Sequence, residues 1–129
     1  GVTEEAEMIT KVLVGTDGSA TARAAVGRAA EVAANAGAEL TILSAGRRSE
    51  QVAKEAAAEH EGADLTVRAL GVGGHPADAL VREARQGGYD LLVSGNKGLT
   101  GLRRLSPTDR TPSKVAHHLP CSLLVVKTT

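Results

Sequence analysis

The chain has 129 residues and a mass of 13.1 kDa, 42% of it hydrophobic and 23% charged, which is the size and make-up of one globular domain over residues 1–129. Fifteen Lys and Arg offset fifteen Asp and Glu, giving zero formal net charge and a pI of about 7.1, so no global field draws it to nucleic acid or an anionic membrane. With no Phe, no Trp and only Tyr89, it also lacks the rings on which bases stack in single-strand and RNA-loop recognition.

The opening Glu4-Glu5-Ala6-Glu7 carries no basic flank of the signal-peptide kind. Lys11 to Gly15 is a short apolar run and predicts the first strand. Ser19 as N-cap and Gly37 as C′ residue bound a helix from Ala20 to Ala36, whose Ala22, Val26, Ala29, Ala30 and Ala33 share one face. Glu39 to Ala45 predicts the second strand, and Ser49 and Gly62 bracket a second helix through Val52, Ala53, Ala56 and Ala57. Asp64 to Leu70 predicts the third strand. Pro76 opens a third helix with Ala77, Leu80, Val81 and Ala84 inward, and Gly87-Gly88 ends it. Leu91 to Ser94 reads as the fourth strand, Thr111-Pro112-Ser113 as the start of a fourth helix that Pro120 stops, and Ser122 to Val126 as the fifth strand.

None of the strand runs alternates cleanly, as befits strands buried on both faces, and the order βαβαβαβαβ is that of a parallel sheet covered by helices. The apolar runs fall far short of the ~20 residues that span a bilayer. Cys121 has no partner for an internal disulfide and sits in the apolar stretch Leu119 to Val126, where a packed thiol is expected. Together these features predict a cytoplasmic protein with neither membrane nor nucleic acid among its partners.

In an open parallel sheet, ligands bind beyond the carboxyl ends of the strands, where the strand order reverses. The loop after the first strand is Gly15-Thr16-Asp17-Gly18-Ser19, at a helix N-terminus. Free N–H groups there can hold an anion, but the Asp17 carboxylate would repel phosphate and suits an adenine amine or a ribose hydroxyl better; on these residues alone a plain helix cap by Asp17 or Ser19 is the favoured reading. The loop Gly71-Val72-Gly73-Gly74-His75-Pro76 permits close backbone approach, to a ligand or merely within a tight turn. After the fourth strand, Gly95-Asn96-Lys97-Gly98-Leu99-Thr100-Gly101-Leu102-Arg103-Arg104 combines glycines spaced by three with cations, a phosphate cradle or a solvated loop. No Walker A loop and no Gly-x-Gly-x-x-Gly helix opening occurs. His60 and His75 stand alone and His117-His118 are adjacent, so no metal site is predicted.

These motifs in this order resemble the universal stress protein family across nearly the whole chain. The resemblance is carried by Val12-Leu13-Val14-Gly15-Thr16-Asp17-Gly18-Ser19, by Gly74-His75-Pro76-Ala77-Asp78-Ala79-Leu80, by Tyr89-Asp90-Leu91-Leu92-Val93-Ser94-Gly95-Asn96-Lys97-Gly98-Leu99-Thr100-Gly101, and by Lys114 through Lys127. It implies an α/β, doubly wound, five-stranded parallel sheet of order 3-2-1-4-5, of the adenine nucleotide alpha hydrolase-like kind. A homodimer through the last strand is also implied. Some members bind ATP and others do not. The ATP-binding pattern Gly-x2-Gly-x9-Gly-Ser/Thr matches at Gly95 and Gly98, but Thr108-Asp109 stands where Gly-Ser or Gly-Thr belongs, and a register counted back from Lys114-Val115 puts Asp109-Arg110 there.

The resemblance thus implies a stress-response protein that binds ATP or another adenine nucleotide through Thr16, Asp17, Gly95, Asn96, Gly98, Thr111 and Ser113. Asp109 would then weaken phosphate binding unless Arg103, Arg104 or Arg110 pairs with it or Mg²⁺ bridges it to the phosphates. A dimeric interaction module with a reshaped cleft is the alternative. No nucleophile–base pair can be placed, so weak ATP hydrolysis is the most that is expected of it as an enzyme.

Overall fold

The computed structural model describes residues 8–97 and 119–128. Five strands form one parallel sheet: β1 (Lys11–Gly15), β2 (Glu39–Ala45), β3 (Val67–Val72), β4 (Leu91–Gly95) and β5 (Ser122–Val126), in the order β3-β2-β1-β4-β5. Three helices are described: α1 (Ala20–Ala36), α2 (Ser49–His60) and α3 (Pro76–Gly87). The doubly wound 3-2-1-4-5 sheet implied by the resemblance is therefore the one observed. The expected helix from Thr111 lies outside the described residues.

Both faces of the central strands β1, β2 and β4 are covered, which is why these strands read as largely apolar runs. Val12 and Val14 of β1, Leu40 and Ile42 of β2 and Val93 of β4 pack with Ala25, Val26, Ala29 and Ala33 of α1 and Ala57 of α2. On the opposite face Leu13, Leu43 and Leu92 pack with Ala77, Leu80 and Ala84 of α3 and with Tyr89. Alanines at the helix contacts let the layers approach closely, so a chain nearly free of aromatic rings still fills its interior. Ser19 caps α1, its Oγ accepting from the Ala22 N–H at 3.2 Å, and Gly37 ends the helix at φ 68°.

Two details depart from expectation. The third strand begins three residues later than predicted, because Gly62 and Leu65 close a tight bridge in which Leu65 is a buried plug rather than a strand residue. It also runs two residues further, through Gly71 and Val72. A Cβ on Gly71 would lie 2.4 Å from both N and Cα of Glu50, so only glycine lets the first turn of α2 rest on this strand. Ser49 donates its hydroxyl to the Val72 carbonyl at 3.2 Å, while the residue ahead of the helix, Arg48, adopts the left-handed region at φ 57°.

At the amino end of the sheet, Asp90 binds the start of β1: one carboxylate oxygen accepts from Thr10 N (2.8 Å), Thr10 Oγ1 (2.7 Å) and Lys11 N (2.9 Å). These bonds hold its carboxyl below the usual range. Next to it, Lys11 donates to the Gly87 carbonyl and lies 4.7 Å from the centre of the Tyr89 ring. The Tyr89 hydroxyl donates to Glu83 at 2.9 Å, and burial, foremost, pushes the phenol up to about 12.

Candidate functional site

The chain crosses from β1 to β2 and β3 on one side and returns to β4 and β5 on the other, so strand order reverses between β1 and β4. Their carboxyl ends open there into a cleft of about 450 Å³, within the range of small-molecule sites. One wall is the β1 loop and first turn of α1, with Thr16, Asp17, Ser19, Thr21 and Ala22; the facing wall is Ser94, Gly95 and Lys97. The floor is apolar, made by Gly15, Leu43, Ala45, Ala77 and Leu80, with His75 and Pro76 at the edge. Gly15 is a floor residue because a Cβ there would come within 2.9 Å of the Leu80 side chain.

The polar wall is rigid. Thr16 is buried, donates its N–H to the Leu43 carbonyl at 2.9 Å, and accepts the Gly18 N–H on Oγ1 at 3.1 Å. Gly18 takes φ 83°, the left-handed value a glycine adopts freely, which turns the chain into α1. Asp17 closes that turn by accepting the Ser19 N–H on Oδ1 at 2.9 Å. Hydrogen bonds from Ser19, first the side chain and then the backbone, lower its carboxyl pKa, and the charge on Lys97 adds to them. An ionised carboxylate thus stands at the mouth of the cleft, beside the positive end of α1. Asp17 is both a turn residue and an exposed acceptor; Ser19 is the helix cap.

Of the residues singled out from the sequence, Thr16, Asp17 and Gly95 line this cleft. Asn96 follows Gly95 directly, and its Oδ1 accepts from Thr128 N at 3.0 Å and Thr128 Oγ1 at 2.6 Å. Gly98, Thr111 and Ser113 lie outside the described residues, as do Arg103, Arg104, Thr108 and Asp109. The sequence reading did not assign Leu43, Ala45, Leu80 or Ser94 to the site. Their signal is positional: Ala45 and Ser94 sit at strand carboxyl ends, and Leu80 one turn into the helix that follows β3. Among the described residues no group of three or more His, Cys, Asp or Glu is arranged to hold a metal ion, and no helix is long and apolar enough to cross a membrane. The cleft's volume, its apolar floor, the Asp17 acceptor on one wall and the Lys97 cation on the other fit a nucleoside with a phosphate. A cation would have to come with the phosphates, since Asp17 is the one carboxylate among the described lining residues.

No curated protein matches the chain. Among solved structures, a universal stress protein in complex with cAMP is 31% identical, covering 95% of this chain and 100% of its own, with a TM-score of 0.70. The protein Rv1636 from Mycobacterium tuberculosis H37Rv is 32% identical over 95% of this chain and 98% of its own, TM-score 0.58. The universal stress protein UspA from Lactobacillus plantarum, 23% identical over 92% of this chain and 98% of its own, has TM-score 0.71 and shows the fold alone. The model of the universal stress protein family matches residues 8–49 and 44–127, the span that holds the whole sheet and both walls of the cleft, and the chain belongs to that family.

Proposed function

We propose that this chain binds an adenine nucleotide, ATP or a relative of it, in the cleft between the ends of β1 and β4, and that it acts in the response to stress. The observation that carries the reading is the ionised Asp17 carboxylate, fixed by Ser19 beside an apolar floor on which an adenine ring can lie. A neighbour at 31% identity is in complex with cAMP, which supports an adenine ligand. Thr16 and Asp17 take the adenosine end, with Asp17 accepting from the adenine amine. Gly95, Asn96 and Gly98 run along the ribose and phosphates, and Thr111 and Ser113 supply hydroxyls to the phosphate tail. Lys97 provides a cation near the negative charge. When bound, Mg²⁺ would neutralise phosphate oxygens.

Thr108-Asp109, in place of Gly-Ser or Gly-Thr, favours a second reading in which a phosphate tail is poorly held and the protein works as a dimeric interaction module. In either reading residues 1–129 act as one unit in the cytoplasm, and two copies pair through β5, which lies at the sheet edge. Titration calorimetry with ATP, ADP, AMP, cAMP and GTP tests the first reading. Heat with the adenine ligands and little with GTP is expected. No heat with any of them at millimolar concentration refutes it.

A further inference from the structure

The residues that follow β5 reach back to Asn96, the first helical residue after β4, although 32 positions separate the bonded residues. Thr128 presents two donors, its backbone N–H and its hydroxyl, to the single oxygen Asn96 Oδ1 at 3.0 and 2.6 Å. A backbone N–H can only donate, so the amide of Asn96 is fixed with its carbonyl toward the tail. The Thr128 methyl also seals the neighbouring backbone: a Cβ on Gly95 would find Thr128 Cγ2 at 3.5 Å and Ala25 Cβ at 3.7 Å. The tail therefore packs over Gly95 and grips Asn96, the two residues with which the chain leaves the cleft wall.

We infer that Thr128 is a positioning residue for the nucleotide cleft, acting through Asn96 to hold Gly95–Lys97, the end of β4 and the two helical residues after it, in the geometry that a ligand meets. The inference rests on the nucleotide-binding reading above, but the hold itself exists without a ligand. A loop that is already ordered costs less to fix when the ligand arrives, so the tail bond appears as affinity. It also makes the two ends of the chain's last strand unequal: whatever displaces β5 or its tail loosens the cleft wall, and whatever stiffens them tightens it.

Thr128→Val keeps a branched side chain with a methyl for the Gly95 contact and removes the hydroxyl donor; Thr128→Ser keeps the donor and removes the methyl. Amide hydrogen exchange at Asn96 and Lys97 is read without ligand, and affinity for ATP and cAMP by calorimetry. Loss of one short hydrogen bond predicts exchange faster by about tenfold and affinity weaker by about threefold to tenfold in Thr128→Val. Thr128→Ser should stay within about twofold of the wild type in both readouts, with unfolding midpoints equal for all three proteins. Unchanged exchange in Thr128→Val overturns the inference, as does faster exchange with unaltered affinity in a wild type that binds. A wild type that binds no adenine nucleotide refutes the proposed function instead, while the exchange data still decide whether Thr128 holds Asn96 and Lys97.

Discussion

Replacing Asp17 by Asn separates the turn contact its carboxylate makes from the base contact proposed for it. The Asn side-chain oxygen still accepts the Ser19 N–H that Asp17 accepts at 2.9 Å, so the turn into α1 keeps its geometry while the charge is lost. A hydrogen bond to a charged acceptor is worth about 1.5–3 kcal/mol against about 0.5–1.5 for a neutral one. Asp17 is exposed, so water competes and the lower part of the difference, about 1 kcal/mol, applies, which is about a fivefold rise in the ATP dissociation constant. Guanine offers a carbonyl where adenine offers an amine. The carboxylate repels that carbonyl, so Asp17→Asn should leave GTP unchanged or improve it, and the preference for ATP over GTP should fall by about fivefold to tenfold. Because Ser19 holds the Asp17 carboxyl below its ordinary range, the wild-type preference should stay flat from about pH 8 to 5 and decline only below about pH 4. Calorimetry with both nucleotides on the wild type, Asp17→Asn and Asp17→Ala decides the matter, with 2′-deoxy-ATP to separate base from ribose contacts. If ATP and GTP affinities shift by the same factor in Asp17→Asn, Asp17 does not read the base and is a turn residue only.

Other outcomes follow from the same structure. Asp90→Ala removes an acceptor of three hydrogen bonds; after allowance for solvent this should cost about 1–2 kcal/mol and lower the melting temperature by about 4–8 °C. Since folding lowers the Asp90 pKa, the gap from the wild type should be full above about pH 4 and close as pH falls through the folded value; a melting temperature unchanged at pH 7 refutes the clamp. Gly71→Ala must push the α2 backbone and should destabilise by about 1–3 kcal/mol, whereas Gly27→Ala in α1, with nothing within 4 Å, should be neutral or stabilising by about 0.5–1 kcal/mol; chemical denaturation compares the two. Light scattering should give twice 13.1 kDa, and a single-chain mass would refute pairing through β5. Thr108→Gly combined with Asp109→Ser should tighten ATP about tenfold or more while leaving adenosine unchanged, and an equal effect on both would rule out a phosphate contact there.

Local signals carried most of the fold. The Ser19 cap and Gly37 at the end of α1 are legible because helix ends are set by neighbours within four residues, and β1 and β2 because strands buried on both faces are largely apolar runs; β5 is equally apolar, although at the sheet edge it is only partly buried. Gly71 reads as loop in the sequence, since a glycine marks a turn and a close backbone contact alike; only the position of Glu50 tells them apart. Asp17 reads as cap or ligand; the structure makes Ser19 the cap and Asp17 the acceptor of the turn, and the ligand role stands as the proposal. Bonds between residues far apart in sequence, such as Asp90 with Thr10 and Asn96 with Thr128, leave no periodic trace. Thr16, Asp17 and Gly95 could be assigned because they sit at strand ends on opposite sides of the reversal, whereas the floor residues Leu43 and Leu80 look in the sequence like any core leucine.

Tyr89 also shapes how this protein can be observed in the near ultraviolet. It is the chain's single ring of Phe, Tyr or Trp type, so nearly all side-chain absorbance and emission above about 270 nm comes from one buried phenol whose hydroxyl is bound to Glu83. Against so faint a background, one equivalent of adenine carried through purification would dominate the spectrum near 260 nm. The phenol is its own alarm as well: folded, it ionises only near 12, whereas a released tyrosine ionises near 10. Folding therefore favours the protonated phenol, a contribution that is complete below about pH 10 and lost as pH rises toward 12. A phenolate band emerging near pH 11 would time the opening of the fold at the amino end of the sheet, opposite the cleft.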